Sequence, residues 1–262
     1  MSKAQLKTSI AERPDPYTIS EGSLVLSNKL NIRDAVELAQ CELVLTCFRR
    51  QQGLPQGDYS WDHLQDIHHH LFQDVYSWAG EARTVDLKSS TGFDYASPAK
   101  ISQAMEVIFA ELKQDNYLLG ATEEEFFNKA SYYYSRMNSV HPFRTGNGRV
   151  IRTFIESLAM NNGLEFNWKN INRRQWHEAS VNAVKGDRSM MTECFKAVTQ
   201  EMTFGKKDEA AQKVTVKESQ SAAEQAIKLM TKSMKSGKGV GSSFSPEDHS
   251  DLSTKSSGMD MS

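Results

Sequence analysis

Twelve residues, His141-Pro-Phe-Arg-Thr-Gly-Asn-Gly-Arg-Val-Ile-Arg152, interrupt two helical patterns and fix where one helix ends and the next begins. Upstream, Thr122-Glu-Glu-Glu125 reads as a capping box, with Thr122 at the N-cap and Glu125 at N3. Phe126, Ala130, Tyr133 and Met137 recur at helical spacing, which predicts a helix to about Val140. Downstream, Val150, Ile151, Phe154, Ile155 and Leu158 mark a second apolar face, ended by Asn161-Asn162-Gly163. The loop between holds Gly146 and Gly148, both able to take positive φ and expose consecutive N–H groups. Such a nest before a helix N-terminus is an anion site, because its donors and the helix dipole both favour negative charge. Arg149 and Arg152, three apart, project from one side of that first turn. Cations stand against the dipole there, a cost that a bound polyphosphate reverses.

Each of these residues also has a plainer reading. Gly146, Asn147 and Gly148 suit an ordinary helix-connecting turn, and the arginines suit surface ion pairs. Their concentration beside one imidazole favours chemistry. A guanidinium fork matches phosphate oxygens. The ordinary pKa of His141 lies near neutrality, as a general base for a hydroxyl proton requires. Phe143 reads as a packing anchor for the loop.

The remaining pattern is almost wholly helical. Asp34–Arg50 carries Ala35, Leu38, Ala39, Leu43 and Leu45 in register. Ser60 caps a helix with Leu64, Ile67, Leu71 and Val75 on one face. Ser97-Pro98 opens another, with proline at N1 and Ile101, Met105, Ile108 and Leu112 inward. Asn172 caps a helix through Trp176 and Ala179, and Met191, Phe195 and Val198 mark one more. Only residues 84–95 break the helical period: Val85 and Leu87, then Lys88-Ser89-Ser90-Thr91-Gly92, then Phe93 and Tyr95 read as a hairpin. His68, His69 and His70 fall about 100° apart around a helix, so they do not converge on one ion.

Composition divides the chain into a polar lead over 1–15, an all-α domain over 16–204, and a Ser/Lys-rich tail over 205–262. In the tail, Glu209–Ser236 predicts a weakly amphipathic helix and the run from Gly237 predicts disorder. A net charge of −2 and the lack of a basic stripe argue against a nucleic-acid partner. No apolar leader and no bilayer-length stretch occur, which predicts a bacterial cytoplasmic protein without a membrane partner. Delivery into a host cell by a dedicated secretion system would leave no such signal. Cys41, Cys47 and Cys194 sit in apolar helical patterns and read as buried free thiols.

The twelve-residue segment closely resembles the Fic motif, HPFx[D/E]GNGRxxR. The segments Ile67-His-His-His-Leu-Phe-Gln-Asp-Val-Tyr-Ser-Trp-Ala-Gly80, Arg83-Thr-Val85, Asp15-Pro-Tyr17 and Leu30-Asn-Ile-Arg-Asp34 are similar to short, toxin-like members, so the likeness spans roughly residues 15–200. It implies a helical bundle with a hairpin flap, and transfer of AMP from ATP to a Ser, Thr or Tyr hydroxyl of a target protein. It also implies His141 as base, Gly146, Asn147 and Gly148 as phosphate cradle, Arg149 toward the β/γ phosphates and Arg152 toward the γ-phosphate. The flap residues Lys88, Ser89, Ser90, Thr91 and Gly92 would pair with an extended target segment, as strand addition does. Other phosphate-group transfers on this fold, such as a kinase or another nucleotide, and a catalytically weakened binding module are the alternatives.

Thr145 departs from the family, which places Asp or Glu there as a ligand for the phosphate-bridging Mg²⁺. A neutral hydroxyl removes one formal charge from a shell that favours carboxylate oxygen and water. The family's inhibitory pattern, [S/T]xxxE[G/N], is matched only in part. Thr8-Ser-Ile-Ala-Glu12 is followed by Arg13, and Ser243-Phe-Ser-Pro-Glu247 contains a proline. The resemblance therefore implies an inhibitor on a separate, antitoxin-like small protein, with an N-terminal inhibitory helix around Glu12 as the alternative.

Overall fold

The computed structural model describes residues 15–89 and 91–201. The Thr8–Glu12 and Ser243–Glu247 segments, the tail helix and Ser90 lie outside the described residues. Seven α-helices are described: α1 (Ala35–Gln51), α2 (Trp61–Phe72), α3 (Ile101–Gln114), α4 (Glu123–Val140), α5 (Asn147–Asn161), α6 (Arg173–Val184) and α7 (Ser189–Val198). Four begin at caps legible in the sequence. The side chains of Asp34, Ser60, Thr122 and Asn172 each accept an N–H from the first turn. At Thr122 the box is reciprocal, because Glu125 accepts the Thr122 N–H at 2.9 Å. Ser97-Pro98 opens a 3₁₀ turn that leads into α3, and the Ser97 side chain makes no cap bond.

The α4 helix is the hub. It packs on α3, α5, α6 and α7, while α2 packs on α1, α3 and α5. Its inward residues Phe126, Ala130, Tyr133 and Met137 are buried, and so are Val150, Ile151, Phe154, Ile155 and Leu158 of α5. A short antiparallel pair, β1 (Leu164–Phe166) with β2 (Thr199–Glu201), ties the segment after α5 to the end of α7, with Phe166 opposite Thr199. At three residues each, these strands have no readable alternation. Cys41 and Cys194 are buried, as expected, but Cys47 is exposed. It lies six residues after Cys41, about 240° around a 3.6-residue helix, and so on another face.

The α4–α5 joint is held from α2 by His68, which is fully buried. Gly80 donates its N–H to His68 Nδ1 at 2.7 Å, so Nε2 carries the proton and donates it to the Thr145 carbonyl at 3.2 Å. The ring stacks on Phe143 at 4.0 Å and on Phe72 at 4.7 Å. The next two histidines diverge. His69 is exposed, and His70 Nε2 meets the Arg49 carbonyl at 2.8 Å. One residue beyond Thr145, Gly146 adopts φ +77°, and a Cβ there would fall 2.3 Å from Cζ of Phe72.

Two predictions follow from this packing. Gly146→Ala combines left-handed strain of about 1–2 kcal/mol with overpacking of about 1–3 kcal/mol. The variant is expected to unfold at a clearly lower temperature, and an unchanged midpoint would remove the close contact with Phe72. The second concerns acid. Burial pushes His68 down from 6.5 to about 3. Between those values the unfolded chain binds a proton that the folded chain excludes. The His68 contribution is intact above about pH 6.5 and declines as pH falls, at up to about 1.4 kcal/mol per pH unit. Urea unfolding at about pH 7.5 and 5.5 is expected to show the wild type losing roughly 1.4 kcal/mol more than His68→Gln. Equal losses would mean that the imidazole is not held neutral.

Candidate active site

His141 is the C-cap of α4, at φ 53° and ψ 61°. This left-handed conformation is uncommon for non-glycine residues, although His, Asn and Asp adopt it more readily than most, and it turns the chain abruptly out of the helix. The His141 N–H still bonds to the Met137 carbonyl at 3.0 Å. Its ring is 3.4 Å from the Asn138 carbonyl through Nδ1. The ring also lies face to face with Tyr95 of the flap, centroids 4.0 Å apart.

The four residues after His141 reverse the chain around a buried amide. Asn147 accepts the Phe143 N–H at 2.9 Å and donates to the Phe143 carbonyl at 2.7 Å. Its side chain is therefore engaged with the loop itself, and what it can offer a ligand is its backbone N–H. Of the two glycines, only Gly146 takes positive φ. Gly148 is the second residue of α5 and is helical, contrary to the expectation of two glycines free to do so. The nest therefore narrows to one left-handed turn followed by a helix N-terminus. The first α5 bond recorded there runs from the Val150 N–H to the Gly146 carbonyl. The N–H groups of Asn147, Gly148 and Arg149 precede it and have no carbonyl within the helix to meet.

The two arginines have different surroundings. Arg149 forms an ion pair with Glu42 of α1, donates to Thr46 Oγ1 at 3.0 Å, and lies 4.8 Å from the Phe72 ring centre. Glu42 is buried and also accepts the Tyr76 hydroxyl at 2.5 Å. Burial and the adjacent carboxylate push the Tyr76 phenol far above its ordinary range. Arg152 sits over Trp168 and Trp176, 5.8 and 5.7 Å from their ring centres. Desolvation, with Arg149 and other arginines nearby, lowers the pKa of Arg152. An anion would relieve both effects. Neither Glu42 nor the tryptophan cradle was identified from sequence; only the buried-face position of Glu42 in α1 marks it, as a charge among apolar neighbours.

The hairpin forms where the period broke. Lys88 and Asp94 bridge antiparallel, flanked by Ser89 N–H to Phe93 carbonyl at 2.8 Å and Tyr95 N–H to Leu87 carbonyl at 3.2 Å. In this pattern the N–H and carbonyl of Lys88 and of Asp94 point outward, away from the opposite limb. Thr91 and Gly92 are exposed at the tip, and Ser89 is half-buried. Thr145 is half-buried, and its carbonyl is committed to His68. Among the described residues, no three His, Cys, Asp or Glu side chains converge on a point that could hold a metal ion. A separate cleft between α3 and α4 is lined by Glu111, Asp115, Lys129 and Tyr133. Its acids are already paired, Asp115 with Lys129 and Tyr133, and Glu111 with Arg136.

Residues 58–159 match the Fic/DOC family. The chain is 32% identical over 199 residues to a probable protein adenylyltransferase Fic of Escherichia coli (strain K12), covering 72% of this chain and 94% of that protein. It is also 32% identical over 201 residues to the protein adenylyltransferase VbhT of Bartonella schoenbuchensis, covering 76% of this chain but only 42% of VbhT. Among solved structures, the BepC protein of Bartonella tribocorum with bound AMPPNP superposes with a TM-score of 0.64 at 24% identity, covering 70% of this chain and 96% of that one. That likeness establishes a shared fold. Because the E. coli protein is matched almost end to end, the chain belongs to the Fic/DOC family.

Proposed function

We propose that this chain is a protein adenylyltransferase, which moves AMP from ATP to a Ser, Thr or Tyr hydroxyl of a target protein. The observation that carries this reading is the α4–α5 joint. One short loop separates an imidazole at the end of one helix from the donor-rich start of the next, with Arg152 over two tryptophans beside it. The target hydroxyl oxygen attacks the α-phosphorus while His141 takes its proton. The bond from that phosphorus to the bridging oxygen breaks, and pyrophosphate leaves with the electron pair. The N–H groups at the start of α5 and the α5 dipole stabilise charge on the phosphates. Arg152 meets the γ-phosphate. Arg149 serves the β/γ phosphates through those of its five N–H donors that Glu42 and Thr46 do not occupy.

The residues present do not fit a magnesium ion held by the protein alone. Thr145 brings a neutral oxygen, and its carbonyl is already taken. They fit Mg²⁺ that arrives on the triphosphate and keeps most of its waters. The outward N–H and carbonyl of Lys88 suit an extended target strand, held by backbone bonds that read little sequence. The protein acts in the bacterial cytoplasm under a separate antitoxin-like inhibitor. Among the described residues, no helix is long and apolar enough to cross a membrane.

The departure at Thr145 is the observation that favours a second reading, transfer of another phosphate-containing group. ATP labelled at the α- or γ-phosphate separates the two: label from the α position on protein means AMP transfer, and from the γ position means a kinase. His141→Ala is expected to lower α-label transfer at least about 10²-fold while ATP binding persists. Transfer at the wild-type rate would remove His141 as the base. Thr145→Asp and Thr145→Glu are expected to lower the Mg²⁺ concentration at half-maximal nucleotide binding and to raise transfer, since a carboxylate attracts the cation more strongly in a partly dry site. Equal midpoints for all three proteins would mean that position 145 does not limit metal capture.

A further inference from the structure

Arg83 is 2% exposed, one of the most deeply buried charged side chains in the described chain. Its guanidinium meets four backbone carbonyls. Nε donates to His141 at 2.8 Å, Nη1 to Val85 at 2.6 Å, and Nη2 to Ala96 at 2.5 Å and to Val140 at 3.2 Å. The Arg83 N–H also donates to the Pro142 carbonyl at 2.9 Å. Burial disfavours the charged form of this side chain and pulls its pKa down. What offsets that cost is the location. Val140 and His141 close α4, where carbonyls lack helical partners and the dipole is negative. A lysine could not replace this fork, because its single ammonium cannot reach four divergent acceptors.

The four acceptors belong to two parts of the candidate site. Val85 and Ala96 are the limbs on either side of the hairpin, and Val140 and His141 carry the base. One side chain therefore joins the hairpin to the catalytic turn at both of its ends. The hairpin also supplies a second contact. Tyr95, whose N–H pairs with the Leu87 carbonyl, lays its ring on the His141 imidazole with the planes 15° apart. His141 is itself buried at 6% exposure.

We propose that Arg83 and Tyr95 are positioning residues that lock the hairpin to His141, so that a peptide strand paired to the hairpin presents its hydroxyl at a fixed distance from the base. The proposal rests on the adenylyltransferase reading for its functional consequence, but the lock itself can be observed without catalysis. Arg83 sets the separation of hairpin and turn, and Tyr95 sets the plane of the imidazole. The recorded contacts of Arg83 and Tyr95 are with the hairpin and the His141 turn, not with the start of α5, so their loss is expected to act on transfer and to leave nucleotide affinity alone.

The test uses the full chain and the variants Arg83→Lys, Tyr95→Leu and Tyr95→Phe. Tyr95 is half-buried, so its variants are expected to fold even where Arg83→Lys does not. The first readout is the proton spectrum of the His141 imidazole. In the wild type the stacked tyrosine shifts it upfield. Tyr95→Leu and Arg83→Lys are expected to lose that shift, and Tyr95→Phe to keep it. The second readout compares α-labelled transfer to proteins of a bacterial lysate with ATP affinity. Tyr95→Leu and Arg83→Lys are expected to lose about 10-fold or more in transfer, as a displaced reacting geometry does, with ATP affinity unchanged and Tyr95→Phe near wild type. An upfield shift retained in Arg83→Lys overturns the lock. A shift lost with wild-type transfer overturns the positioning role, and so does an equal fall in ATP affinity. A wild type without α-label transfer defeats the adenylyltransferase reading instead, while the imidazole spectrum still decides the lock.

Discussion

The hydrogen bonds of one neutral imidazole hold together the parts of this molecule that chemistry requires to be adjacent. His68 joins α2 and the Gly80 turn, 12 residues on, to the motif loop, 77 residues away. Because Gly80 donates to Nδ1, the proton is fixed on Nε2 and the Thr145 carbonyl is pulled toward α2. With that carbonyl held, Gly146 can complete its left-handed turn directly over the Phe72 ring. The N–H groups that follow then start α5. A charged His68 would need two acceptors and would find a donor at Gly80, so the geometry of the turn that starts α5 depends on the ring staying uncharged.

The same loop explains why two arginines of one motif differ electrostatically. Arg149 begins α5 on the side facing α1, where Glu42 is buried and needs a cation. Glu42 and Arg149 form a pair in which each offsets the desolvation of the other, and breaking such a pair from one side typically costs about 3–5 kcal/mol. Arg152, one turn later, faces Trp168 and Trp176. Aromatic faces attract a cation but do not neutralise it. One arginine is thus held in position by a carboxylate, and the other lies over two aromatic faces, which on the proposed reading leaves its charge for a phosphate. At a helix N-terminus, where the dipole disfavours cations, the second arrangement is the one that gains most from a bound polyphosphate.

What could be read from sequence was what is encoded locally. Asp34, Ser60, Thr122 and Asn172 cap helices through bonds spanning three residues, so their signals lie within a few letters of one another. The hairpin announced itself by breaking the period, and His141 by its place between two helical stretches. Gly148 misled because a glycine is permitted positive φ without being obliged to use it; here it lies within the first turn of α5. Cys47 misled because an apolar stretch of α1 has an outer face as well as an inner one. Glu42 and Arg83 were not recognisable as partners of the motif. The donor to Glu42 is 107 residues away and the His141 acceptor of Arg83 is 58 residues away, and nothing in the intervening sequence specifies the pairing.

Arg83 shows why such long-range contacts matter for a transfer enzyme. A hairpin that holds a target by its backbone gains tolerance for many sequences, but backbone bonds alone do not fix how far the strand stands from the base. The distance has to come from elsewhere in the fold. Here the carbonyls that end α4 are left without helical partners by the left-handed turn at His141, and those same carbonyls are the anchor for Arg83. The left-handed turn that brings His141 out of the helix therefore also leaves the acceptors that fasten the hairpin beside it. Relaxing His141 into a helical conformation would remove both at once.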